Sequence, residues 1–119
     1  MRKTIIALSV SLLLTACSSG PDDRAEDFMT AAASGETEEA IEYLDPQIRS
    51  MMGSKIEGPV SSVGKDALEH DGLSSVEILE TQTNGDRAKV KLQINFGNGK
   101  NKKTNVQMRK VDGEWYVSG

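Results

Sequence analysis

The chain has 119 residues, 37% of them hydrophobic and 27% charged, with a formal net charge of −4. That length holds one domain of ordinary size with one modest core, and leaves no room for a second. The net acidity argues against nucleic acid as a partner, and a single cysteine excludes internal disulfides, so stability must come from packing.

The chain opens on basic residues, Arg2 and Lys3, followed by an apolar run from Thr4 to Leu14 and then Leu14-Thr15-Ala16-Cys17. The run is shorter than the roughly 20 apolar residues of a membrane-spanning helix, and the small Thr15 and Ala16 suit a peptidase pocket. Residues 1–16 are therefore predicted to be a cleaved secretion signal. The Leu-Thr-Ala-Cys sequence resembles the lipobox of bacterial lipoproteins, which implies a diacylglycerol on the Cys17 sulfur and an acyl chain on the freed amine. With about 0.8 kcal/mol per buried methylene, two or three chains make a durable membrane anchor. Residues 17–21 then form a lipidated tether, and at about 3.3–3.6 Å per residue it holds the domain, residues 22–119, close to the headgroups. Ser18 resembles the residue that allows outer-membrane sorting in Gram-negative cells. The expected address is the cell envelope, on the periplasmic face of the outer membrane in such a host.

Charge divides the rest of the chain. Residues 22–80 hold fifteen acidic and four basic side chains, and residues 81–119 hold three acidic and eight basic. The acidic half reads as helices. Ala25, Phe28, Met29 and Ala32 follow i, i+3, i+4, i+7 spacing and predict a helix over 22–34, with Asp22 and Asp23 at its start and Gly35 past its end. Thr37 caps a short second helix with Ala40, Ile41 and Leu44 on one face. Asp45-Pro46 supplies the cap and first turn of a third, ending near Gly53. Ile56, Val60, Val63 and Ala67 place a fourth helix from about Pro59 to His70, stopped by Asp71-Gly72.

From Leu73 the period changes to two. Ala88, Val90, Leu92, Ile94 and Phe96 alternate with polar residues, the pattern of a half-buried antiparallel strand. Its partner over 74–83 joins it through Asn84-Gly85 or through Asn84-Gly85-Asp86. The three-residue loop is preferred because it pairs Ile78 with Leu92 and Val76 with Ile94, whereas the shorter one sets Ile78 against Lys91. A third strand over 101–111 follows Gly97-Asn98-Gly99, and Asp112-Gly113 turns the chain into a fourth over 114–118. That register places Met108 beside Val117 and Lys110 beside Trp115. The expected fold is α+β, with N-terminal helices packed on a curved four-stranded antiparallel sheet.

Several stretches resemble one family. They are Gly-Glu-Thr-Glu-Glu-Ala-Ile-Glu-Tyr-Leu (Gly35 to Leu44), Val-Glu-Ile-Leu (Val76 to Leu79), Asn-Gly-Asp-Arg-Ala-Lys-Val (Asn84 to Val90) and Val-Asp-Gly-Glu-Trp-Tyr-Val (Val111 to Val117). Together they look like the small lipoprotein domain of unknown function in the nuclear transport factor 2-like, or cystatin-like, superfamily. The resemblance covers about residues 22–118 and implies a cone, a curved sheet wrapped partly around the first helix, with a cavity at the open end. It also implies that an enzyme of this fold would keep an acid, or a His and Asp pair, in that cavity.

Candidate site residues are few. His70, between Glu69 and Asp71 at a helix end, reads as a solvated cap complementing the helix dipole. With the three-residue loop, Glu80 and Gln82 share the inward parity of Val76 and Ile78. Glu80 then sits at the open rim or in a polar pocket, because a buried carboxylate needs a partner. Tyr43 and Trp115, with Met51-Met52, either line the cavity or fill the core. Arg87, Lys89 and Lys91 share one outward strand face, with Lys100, Lys102 and Lys103 near the next turn. The row is either a solubilising face or a patch for an anionic partner. No metal site, phosphate loop or nucleophilic set can be assembled, and no cofactor is expected. The sequence therefore predicts a non-enzymatic, membrane-anchored domain that binds an envelope protein or small ligand, with a homodimer through the sheet as a structural alternative. The enzymatic alternative uses Glu80 as a base in the cone cavity.

Overall fold

Helix α1 (Pro21–Ala33) starts on a proline, whose missing N–H falls among the donors that a first turn leaves unpaired. It belongs to a computed structural model that describes residues 19–119; the expected signal segment 1–16 and the acylation site Cys17 lie outside the described residues. Ala25, Phe28, Met29 and Ala32 are buried along one face of α1, as the spacing predicts. Helix α2 (Thr37–Glu42) is short, and helix α3 (Pro46–Met52) is capped by Asp45, whose carboxylate accepts from the Gln47 N–H at 2.9 Å. A 3-10 turn (Gly53–Ile56) leads into helix α4 (Glu57–Leu68). α4 starts two residues before the expected Pro59, because a proline in the first turn removes an N–H that has no helical partner there. Gly64 allows α4 to pack closely on the end of α1: a Cβ there would meet the Ala32 carbonyl at 3.0 Å and the Gly35 Cα at 3.2 Å.

The sheet runs β1-β2-β3-β4, all antiparallel, from β1 (Leu73–Asn84) through β2 (Arg87–Phe96) and β3 (Asn101–Val111) to β4 (Glu114–Val117). Val90, Leu92 and Met108 lie fully buried on the inner face, under the helices. The pairs Met108 with Val117, Lys110 with Trp115, Val76 with Ile94 and Ile78 with Leu92 are those predicted.

The turn between β1 and β2 is not as predicted. It has two residues, Gly85 and Asp86, and Asn84 faces Arg87. Both observations hold because β1 carries a bulge at Leu79, between Ile78, paired with Leu92, and Glu80, paired with Lys91. One extra residue reverses parity beyond it. Glu80 and Gln82 therefore point outward with Lys91 and Lys89, which corrects the inward placement expected from the sequence. Thr81 and Thr83 take the inward parity instead, opposite Val90 and Ala88.

At the other edge of the sheet, residues 43–45 run beside β4. The Asp45 N–H donates to the Val117 carbonyl at 2.9 Å, and the Val117 N–H donates to the Tyr43 carbonyl at 2.8 Å. Arg109 of β3 closes over this crossing as a two-pronged ion pair: Nε lies 2.7 Å from Asp45 Oδ2 and Nη2 3.1 Å from Oδ1.

Candidate functional site

An apolar groove of about 500 Å³ opens where the helices leave the inner face of the sheet uncovered. Phe28 and Met29 of α1, Ile48 and Met52 of α3, Val63 of α4 and Val106 of β3 line it. No side chain lining it is titratable. A groove of this volume and polarity suits a small apolar ligand. α3, which forms one lip, buries none of its own residues and ends at Gly53 with φ +56°, a conformation glycine adopts without a Cβ penalty. Met52, 37% exposed, lines the groove, whereas Met51, 77% exposed, does not.

A second concavity, about 770 Å³ and polar, lies where α1 begins. Arg24, Arg49, Tyr43 and Tyr116 line it, together with Glu39, Glu42 and Glu114. The Arg24 guanidinium carbon lies 4.7 Å from the Tyr43 ring centroid and 5.4 Å from that of Tyr116, within cation–π range of both. Arg24 Nε donates to the Trp115 carbonyl at 2.9 Å, which fixes the head. Burial raises the Tyr43 phenol above its ordinary pKa, and the charges of Asp27 and Glu39 push the same way.

The structure separates the residues that the sequence grouped. Trp115 is 6% exposed in the core and lines neither concavity, while Tyr43 lines the polar bowl rather than the apolar groove. Glu80 accepts from Gln82 Nε2 at 3.0 Å in a shallow outer-face depression shared with Lys89 and Lys91. The basic row is thus interrupted by a carboxylate. Arg87, Lys89, Lys91, Lys100 and Lys103 are exposed. Lys102, expected near the turn beside that row, does not share its face: paired with Ile94, it takes the inward parity and its Nζ lies 3.7 Å from Asp66 Oδ2. His70 is not bare of apolar neighbours. It stacks on Phe96 with centroids 4.7 Å apart, and its Nδ1 lies 2.8 Å from the Asp66 carbonyl oxygen. Among the described residues no helix is long and apolar enough to cross a membrane, and no three His, Cys, Asp or Glu side chains cluster as metal ligands do.

Sequence reasoning passed over Arg24 and Arg49. The available signal was compositional: they are two of only four basic residues between 22 and 80, and both are arginines.

Comparison with curated proteins gives no match. Among solved structures, a Campylobacter jejuni protein described as an NTF2-like transpeptidase is 28% identical, with a TM-score of 0.76 over 85% of this chain and 99% of that one. A DUF4783 protein of Bacteroides ovatus is 14% identical, with a TM-score of 0.52 over 77% of this chain and 86% of its own. A de novo designed protein with a curved β-sheet is 16% identical, with a TM-score of 0.53 over 81% of this chain and 80% of the design. The last two share architecture alone, and the Campylobacter jejuni match supports the NTF2-like fold. The profile of a domain of unknown function, DUF4878, matches residues 15–118, and the chain belongs to that family.

Proposed function

We propose that this chain is a membrane-anchored, non-enzymatic binding domain whose apolar groove takes an aliphatic ligand. The observation that carries the reading is the groove itself: about 500 Å³, walled chiefly by apolar side chains such as Phe28, Met29, Leu44, Ile48 and Val63, with no titratable side chain lining it. Proton transfer needs a titratable group within hydrogen-bond reach of the substrate. Glu80, the base of the enzymatic alternative, lies across the sheet from the groove, on its outer face. The transpeptidase description of the Campylobacter jejuni protein suggests acyl transfer. Ser62 stands three residues before Lys65, but its hydroxyl donates to the Pro59 carbonyl at 2.7 Å and Lys65 is exposed. That pairing favours binding over nucleophilic catalysis.

A fluorescent long-chain fatty acid tests the groove. The wild type is expected to bind it saturably, and Val63→Trp, which fills the groove from α4, weakens binding at least tenfold. Non-saturable partitioning, or equal binding by the variant, overturns the reading. The anchor is tested separately. Cys17→Ala is expected to move the protein from the membrane fraction to the soluble fraction, and retention in the membrane counts against acylation at Cys17.

A further inference from the structure

The polar bowl at the start of α1 presents both signs of charge without neutralising them. Among the described residues neither Arg24 nor Arg49 forms an ion pair with Glu39, Glu42 or Glu114. Arg24 uses Nε on the Trp115 carbonyl, and its terminal N–H groups have no partner among the described residues. Arg49 Nε is shielded from solvent and has no hydrogen-bond partner there either. Both arginines line the bowl, and their terminal N–H groups have no partner among the described residues, so an anionic oxygen placed there gains charge-assisted hydrogen bonds. The tyrosine rings hold the Arg24 head in place, so less side-chain freedom is lost on binding.

We propose that the bowl binds a zwitterion carrying a phosphate and a primary ammonium. The phosphate meets Arg24 and Arg49, and the ammonium meets the carboxylates of the bowl. A carboxylate is satisfied by one guanidinium fork, whereas two arginines with unpaired donors match the larger set of oxygens on a phosphate. The carboxylates around them repel a simple anion and select for a compensating cation. The chemistry occurs in free phosphoethanolamine and in the headgroup of phosphatidylethanolamine. The second source rests on the anchor reading, because Arg24 stands only seven residues beyond Cys17.

The test uses the full chain in phosphatidylglycerol nanodiscs or, if it does not associate with them, free in solution. It is titrated with phosphoethanolamine, glycine and inorganic phosphate and followed by calorimetry. Phosphoethanolamine is expected to bind saturably and at least tenfold more tightly than glycine or phosphate. Arg49→Gln weakens it at least tenfold, and the exposed Glu39→Gln narrows its advantage over phosphate. Fatty-acid binding in the groove stays unchanged in both variants, which shows that they fold and separates this proposal from the groove reading. Equal affinity for glycine or phosphate, or unchanged affinity in Arg49→Gln, overturns it. Phosphatidylethanolamine nanodiscs that lower the apparent affinity for the free compound assign the lipid headgroup as source; an unaltered affinity assigns the soluble compound.

Discussion

Replacing Trp115 with Ala is expected to destabilise the domain by about 3–5 kcal/mol, the range for removing a large aromatic from a packed core. The ring is 6% exposed on the inner face of β4, and its backbone carbonyl anchors Arg24. Domains of this size have about 5–15 kcal/mol in total, so the loss removes a large share of it. Urea unfolding followed by circular dichroism measures the loss, since the substitution removes the only tryptophan. Trp115→Phe keeps most of the apolar volume and loses less. Because Trp115 does not line the groove, the folded fraction of Trp115→Ala binds fatty acid as the wild type does. A loss below about 1 kcal/mol, far short of the cavity range, contradicts the core role.

Asp45→Ala is expected to cost about 2–4 kcal/mol, combining a lost helix cap with lost charge-assisted hydrogen bonds. Asp45 is 3% exposed, joins α3 to β3 through Arg109, and starts the segment that meets β4. The hydrogen bond from Arg109, helped by that from the Gln47 N–H, holds its carboxyl below the ordinary carboxylate range. The sign follows from linkage. A depressed folded-state pKa means that the unfolded chain takes up the proton first, at about pH 4. The stabilisation is therefore complete above that pH and disappears as pH falls through the lower folded-state value. Asp45→Asn keeps a capping side chain and loses the charge. The gap between wild type and Asp45→Asn in urea midpoint should be constant above about pH 5 and shrink below about pH 4. A gap independent of pH would falsify the assignment of the effect to this ion pair.

Much of this architecture was legible residue by residue. The alternation from Ala88 to Phe96 is enforced by burial on one face, and Asp45-Pro46 and Asp112-Gly113 are local chemistry that needs no tertiary context. The parity of Glu80 was not legible, because no residue pattern marks the bulge at Leu79, and without it the loop that pairs Ile78 with Leu92 carries Glu80 inward. The hydrophobic pairs on one side of the bulge are those of the three-residue loop, whereas the turn on the other side closes on Gly85-Asp86, which neither loop alternative has, and an extra residue reconciles the two. Lys102 was grouped by nearness in sequence to Lys100 and Lys103, although strand alternation sends it to the opposite face. The bowl was invisible for a different reason. Arg24, Tyr43, Arg49 and Tyr116 come from four separate segments, and no periodicity within one segment marks their convergence.

The bulge in β1 also bears on self-association. Residues 43–45 already cover the β4 edge, so the long β1 edge is where a foreign strand could extend the sheet. An incoming strand needs an unbroken ladder of donors and acceptors at regular spacing. Leu79 breaks that spacing in mid-strand, and Glu77 and Glu80 place like charges on either side of the break. Fibril-like stacking of one copy on another is thereby opposed at the place where the sheet would otherwise be open to it.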